Sequence, residues 1–204
     1  PTEELKVEEK YVAPPKEALE RIEREKARVA KLWSLATPRR FALPLAAPLD
    51  SLPTAGRFGS RRIFNNEPRS PHGGADFSAR TGTVVFAPAD GVVALAEEQY
   101  FAGNAVYLDH GDGLISMAFH LSEIGVANGA EVTRGQPIGS VGATGRGTGP
   151  HLHFALRWHG ARVDPDRVSI GLNGRAVVGG GRGVAPARMA RAAKEMGRPV
   201  LRFG

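Results

Sequence analysis

His72-Gly73-Gly74-Ala75-Asp76 and, much later in the chain, His151-Leu152-His153 supply enough imidazole and carboxylate for a set of zinc ligands with one imidazole to spare. Three such ligands with an open fourth position make a hydrolytic metal site. His151 to Phe154 reads as a strand, in which side chains alternate between faces, so the two histidines share one side while Leu152 and Phe154 share the other. The paired glycines argue against a helix between His72 and Asp76. His72 is therefore expected in a turn and Asp76 at the start of a strand, Ala75 to Ser78, with both side chains free to aim at one ion. An HxxxD pair or an HxH strand alone occurs in many chains with only ordinary hydrogen bonds; both in one chain carry far more weight.

Composition limits the setting. A chain of 204 residues suits one domain of ordinary size with appendages, and Gly 26 with Pro 15 favours strands and turns over a helical bundle. With no cysteine there is neither a disulfide scaffold nor a thiolate site, so a transition metal must be held by imidazole and carboxylate. A net charge of +6 implies attraction to anionic partners without choosing among nucleic acid, membrane surface and acidic wall polymer. No apolar run is long enough to span a bilayer, and the sequence starts at Pro1 without an initiating Met or signal segment, which leaves room for a targeting segment cleaved or left out ahead of it.

Five regions follow from the pattern. Residues 1–15 are charged and end in Pro14-Pro15, a flexible lead-in. Residues 16–36 hold an amphipathic helix from Lys16 to Trp33, with Leu19, Ile22, Val29 and Trp33 on one stripe and Glu17/Arg21 and Glu20/Arg24 as i, i+4 pairs. Residues 37–55, punctuated by Pro38, Pro44, Pro48 and Pro53, read as a linker in which Phe41 to Leu45 can add an edge strand. Residues 56–168 alternate short apolar runs with Gly, Asn, Asp and Pro, an all-β pattern, with strands expected over 73–78, 83–87, 91–96, 105–109, 114–121, 137–141 and 151–157. Two segments in it, beginning at Gly82 and Gly129, share a strand, tight turn and strand pattern also found in lipoyl-carrier barrels, but neither turn holds a lysine for a carrier role. Residues 169–204 form a Gly-rich basic tail.

The quoted motifs resemble the lysostaphin-like, LytM-type zinc metallopeptidases that cut peptide cross-links in bacterial peptidoglycan. The resemblance runs from about Arg57 to Pro165 in four separate places: Arg62 to Asp76; Gly103-Asn104 to Gly111; Phe119-His120-Leu121-Ser122; and Gly139 to Phe154. It implies a mainly β fold, an antiparallel sheet crossed by a groove, with a duplicated hairpin of lipoyl type and an N-terminal helix. Carried over position by position, it implies His72, Asp76 and His153 as ligands of one Zn2+ per chain and His120 and His151 as the catalytic pair. Two departures bear on groove shape: Ala118 where relatives often have an aromatic residue, and Ala155 where many have an acid. Asn104, Tyr100 and Phe101 are candidate substrate-binding residues. His110 and His159 read as structural or solvated.

The expected function is a zinc endopeptidase acting on peptidoglycan, by resemblance on the D-alanyl to diaminopimelate cross-link, in the periplasm or elsewhere outside the cell membrane. The rival is a non-catalytic wall-binding activator with the same fold. A full set of five ligand and catalytic positions speaks against it. Nucleic acid is not expected as a partner, since no RNP-type, helix-turn-helix or zinc-finger pattern occurs. The helix stripe offers a surface for a protein partner. Without HExxH, cysteine or GxSxG, a glutamate base or a covalent nucleophile is unsupported.

Overall fold

The structure, a computed structural model, describes residues 1–168; the basic tail expected over 169–204 lies outside the described residues. In chain order the strands are β1 (Thr2–Leu5), β2 (Thr54–Gly56), β3 (Arg61–Phe64), β4 (Glu67–Arg69), β5 (Ala75–Ser78), β6 (Val84–Phe86), β7 (Gly91–Gln99), β8 (Gly103–Asp109), β9 (Leu114–Ile124), β10 (Glu131–Val132), β11 (Pro137–Val141), β12 (His151–Trp158) and β13 (Ala161–Val163), with helix α1 (Lys16–Leu32) after β1. All seven expected strands form, four of them one to three residues longer than the pattern gives and β5 and β6 two residues shorter than the expected 73–78 and 83–87.

Strands β10-β7-β8-β9-β12-β5-β2 run side by side in one ten-stranded sheet, with β11 joined to β6 and β9 and β13 to β12. The pairings within it are antiparallel. The two related segments pair crosswise: β6 of the first lies on β11 of the second, and β7 of the first on β10 of the second.

Alternation along the central strands divides apolar from functional residues. Leu152, Phe154 and Leu156 of β12 enter one core with Ala118 and Leu121 of β9, Val106 and Leu108 of β8 and Phe77 of β5. On the opposite face Ala105, Tyr107, Ile115, Met117 and Ala155 form a second, smaller cluster. Helix α1 closes part of this face: Leu32 is buried in the smaller cluster, with Val29, Trp33 and Leu35 packed against it. Ion pairs fix its approach, Arg21 to Glu98 at 2.6 Å and Arg28 to Glu97 at 3.0 Å. The expected Glu17/Arg21 pair is absent because Arg21 turns to Glu25 and Glu98 instead; Glu20/Arg24 forms at 3.5 Å. Ile22 is buried and Leu19 is 48% exposed, so most of the stripe offered to a partner is consumed by the chain itself.

Two appendages differ from their sequence reading. Residues 1–15 are not a loose lead-in: β1 pairs in parallel with β3, which pairs with β4 in a small three-stranded sheet. Residues 37–55 form no edge strand at Phe41 to Leu45. Instead Phe41, Leu45 and Leu49 enter the main core, and single backbone bonds such as Leu45 N–H to Val168 C=O (2.7 Å) and Phe86 N–H to Pro48 C=O (2.9 Å) pin the segment down. The prolines remove ladder donors, which prevents a strand, but leave the apolar side chains free to pack. No helix among the described residues is long and apolar enough to cross a membrane.

Candidate functional site

Asp76 of β5 and His153 of β12 stand directly opposite each other in the antiparallel register, and a cross-strand pair on one face brings side chains into contact. The carboxylate Oδ1 lies 2.7 Å from His153 Nδ1. His72 reaches the same point from the loop before β5. Its Nε2 is 3.1 Å from Asp76 Oδ1 and 3.0 Å from His153 Nδ1. The double glycine allows this approach: a Cβ on Gly74 would come within 2.8 Å of the Ala155 Cβ and 3.0 Å of the His153 ring. The loop can pass beneath β12 only where it carries no side chain.

Neighbours fix each of the three groups. His72 Nδ1 lies 3.0 Å from the Arg57 carbonyl; a carbonyl only accepts, so Nδ1 carries the proton and Nε2 presents its lone pair to the cluster. Phe119 stacks on His153 at 5.4 Å between ring centroids and 12° between planes. Asp76 uses Oδ2 to accept from Arg62, which also pairs with Glu3 at 3.0 Å. Burial alone would raise the Asp76 carboxyl, but the imidazoles of His153 and His72 against it hold it well below the ordinary carboxylate range. Burial pushes the His153 imidazole down despite Asp76.

These atoms fit a zinc ion. Bonds of about 2.0–2.1 Å in a tetrahedron hold ligand atoms roughly 3.3 Å apart, and the three donors already stand 2.7 to 3.1 Å apart. Two neutral imidazoles and an ionised carboxylate are also the donor chemistry zinc accepts. His72, Asp76 and His153 are the one such cluster among the described residues.

Two further imidazoles sit beside the cluster. The His120 and His151 ring centroids are 4.7 Å apart, and His120 is 6.1 Å from His153. His151 shares the His153 face by simple alternation. His120 does not, since Ala118, two residues earlier, faces the main core. It reaches the groove through a bulge: the β8–β9 register shifts there, His120 adopts φ 64°, and Leu121 drops back into the core. Such an irregularity re-aims a side chain at the cost of left-handed backbone strain. His120 Nδ1 donates to Thr144 C=O at 2.8 Å and His151 Nδ1 to Gly149 C=O at 2.7 Å, so in the neutral form each keeps Nε2 as an acceptor. Burial, then the charges of His151 and His153, push His120 down to about 3.

A groove of about 420 Å3 runs over the site, with Trp33, Phe64, Phe101, Phe119 and His120 among its walls. Of the candidate substrate-binding residues, Phe101 lines it. Tyr100 lies behind, its hydroxyl donating to Lys10 C=O at 2.7 Å and its ring edge-on to Tyr11. The Asn104 amide is taken up in tying β8 to the Leu121 and Ser122 carbonyls. His110 is fully buried between the Asp90 carbonyl and the Ser116 hydroxyl, and the His159 side chain is exposed beside Asp112. Sequence reading gave no role to Arg62, Arg69 or Arg146. Their signal, arginines inside the ligand-bearing segments, is visible only once Asp76 and the groove define what they face.

Residues 70–165 match the family described as Peptidase family M23. Peptidoglycan DD-endopeptidase ShyA of Vibrio cholerae serotype O1 is 41% identical over 117 residues, 57% of this chain and 27% of ShyA. A crystal structure from Pseudomonas aeruginosa assigned to peptidase M23 superposes with a TM-score of 0.66 at 43% identity, covering 74% of this chain and 61% of that one. The catalytic domain of the antimicrobial peptidase lysostaphin from Staphylococcus simulans aligns at 31% identity and a TM-score of 0.50, covering 56% of this chain and 89% of that domain. The chain spans less than a third of the length of the curated relatives it matches.

Proposed function

This chain belongs to peptidase family M23, and from that premise we propose that it is a zinc-dependent endopeptidase hydrolysing the peptide cross-links of bacterial peptidoglycan. The observation that carries the reading is the triangle of His72 Nε2, Asp76 Oδ1 and His153 Nδ1 with the His120 and His151 rings side by side next to it. His72, Asp76 and His153 hold the zinc, one ion per chain. When bound, the metal supplies Lewis acidity toward the scissile carbonyl and makes water more acidic.

The chain's own residues handle the protons. His120 and His151, each with Nδ1–H committed to a backbone carbonyl, can take a proton from the attacking water at Nε2. Either imidazolium then passes the proton on to the departing amine nitrogen, the leaving group an amide requires. The imidazolium formed in the meantime favours negative charge on the carbonyl oxygen. Phe101, Phe119 and Trp33 give the groove apolar walls, and a substrate bound against them displaces water, which strengthens these interactions.

The bond proposed is the D-alanyl to diaminopimelate cross-link, in line with the DD-endopeptidase ShyA, and the place of action is the cell envelope, where that polymer lies. The net charge of +6 suits a substrate whose stems carry free carboxylates. The test is mass spectrometry of fragments released from purified sacculi by the zinc-loaded chain, with a His151→Ala control. Loss of cross-linked dimers with gain of monomer stems, absent in the control, is expected. Intact dimers despite bound zinc would overturn the endopeptidase.

A further inference from the structure

Arg62, Arg69, Arg146, Arg157 and Arg162 line the groove, and among the described residues no aspartate or glutamate does. Two of them have evident partners and a third is solvated. Arg62 is paired with Glu3 and Asp76, Arg157 donates to Gly160 C=O at 2.8 Å over the Trp33 ring, and Arg162 is exposed. Arg146 differs. Its guanidinium lies 4.8 Å from the Phe64 ring and 4.8 Å from the Phe101 ring, and it makes no side-chain hydrogen bond or ion pair among the described residues. Arg69 stands near it, with one nitrogen donating to Val12 C=O and its buried Nε without a partner.

A half-buried cation without a counter-charge costs free energy unless something supplies one. Here the surroundings make the deficit worse: burial, then the charges of Arg69 and Arg62, push Arg146 down to about 10. Two aromatic faces hold the guanidinium, leaving its donors free for a planar, two-oxygen acceptor. The backbone beneath is also fixed. Arg146 N–H donates to Phe101 C=O at 2.9 Å, and Thr144, two residues earlier, holds His120. The guanidinium therefore keeps a set position relative to the catalytic imidazoles.

We propose that Arg146, with Arg69 beside it, binds a free carboxylate of the peptide stem in the groove and so selects stems whose acid is not amidated. This rests on the endopeptidase reading, which supplies a substrate bearing such groups.

Binding and cleavage test the two ideas separately. A cross-linked stem dimer, prepared as the free acid and as its carboxamide, is titrated by calorimetry into the zinc-loaded His151→Ala chain with and without R146Q. The free acid should bind about 10- to 100-fold more tightly than the amide, the range of a charge-assisted pair, and R146Q should erase the difference. In the chain retaining His151, R146Q should raise KM for the free acid while kcat at saturation stays close to the parent value. Equal binding of acid and amide by the parent, or a preference that survives R146Q, overturns the subsite even if R146Q melts at a lower temperature. If neither dimer is cleaved although the acid preference exists and depends on Arg146, the endopeptidase reading fails and the subsite stands. Should R146Q not fold by circular dichroism, R146K decides: it keeps the charge without the planar fork, so a reduced preference supports the proposal and an unchanged one overturns it.

Discussion

The two faces of β12 sit one residue apart and obey different rules. On one, Leu152 and Leu156 are 0% exposed and Phe154 1%, all three packed into the main hydrophobic core. On the other, His151, His153 and Arg157 are half-buried, and each has a polar atom committed to a named group: a carbonyl for His151 and Arg157, Asp76 for His153. The dry face is a problem of volume, which many apolar side chains solve approximately. The groove face is a problem of atoms, in which a ring of the right shape is useless with its nitrogen turned away. Stability should follow the first face and chemistry the second.

The sharpest way to break that division is His153→Ala. Zinc retention through a desalting column should be lost, and cleavage of sacculi should fall by on the order of 10³-fold or more. Melted in a chelator, so that metal binding does not contribute, the variant should stay close to the parent. A large loss of stability there would mean the cluster holds the fold rather than the reaction. Next in size, His120→Asn should cost about 10²- to 10⁴-fold in kcat with zinc content unchanged. Asparagine is chosen because it tolerates the left-handed backbone that the bulge imposes at φ 64°, which separates loss of the imidazole from damage to the strand.

One residue along, Phe154→Ala should show the reverse pattern. Emptying a site 1% exposed in the main core should lower unfolding free energy by about 3–5 kcal/mol in denaturant titration. Residual folded protein should still bind zinc. If Phe154→Ala removed zinc at concentrations where the chain remains folded, the two faces would be coupled through β12 and the division would need redrawing.

The same contrast explains what could be read from sequence. Alternation in His151 to Phe154 disclosed which face was dry, and Asp76 at the start of β5 followed from its paired glycines. The residue at position 120 was identifiable only by resemblance, because straight alternation after Ala118 would send it into the core; a one-residue bulge corrects that. Residues 37–55 looked like a linker because prolines dominate local pattern, while burial of Phe41, Leu45 and Leu49 depends on a core built elsewhere. The N-terminal strand was equally hidden: Thr2–Leu5 is charged and finds its partner in β3, some sixty residues away in sequence. Arg146 is the extreme case, since its environment comes from Phe64 on β3 and Phe101 before β8, neither adjacent to it in the chain.

The smallest expected effect concerns the dry side itself, which contains one polar pair. His110 is 0% exposed, with Nδ1 donating to Asp90 C=O at 2.7 Å and Nε2 accepting from the Ser116 hydroxyl at 2.7 Å. Burial pushes its pKa below the ordinary histidine value, against the pull of Asp90 and Asp109. Folded His110 therefore stays neutral where the unfolded ring has begun to take a proton. Below about pH 6.5 the unfolded state binds more protons, so stability is lost as pH falls, with a slope of at most about 1.4 kcal/mol per pH unit from this residue. Above that value the contribution is flat. His110→Gln should cost stability at neutral pH, since the ring fits both partners, yet flatten the acid limb relative to the parent. Denaturant titrations from pH 7 to pH 5 on the chelated protein would measure the difference in slope. Equal slopes would mean that His110 takes up its proton in the fold as readily as in the unfolded chain, and that this side of the sheet tolerates charge as the groove side does.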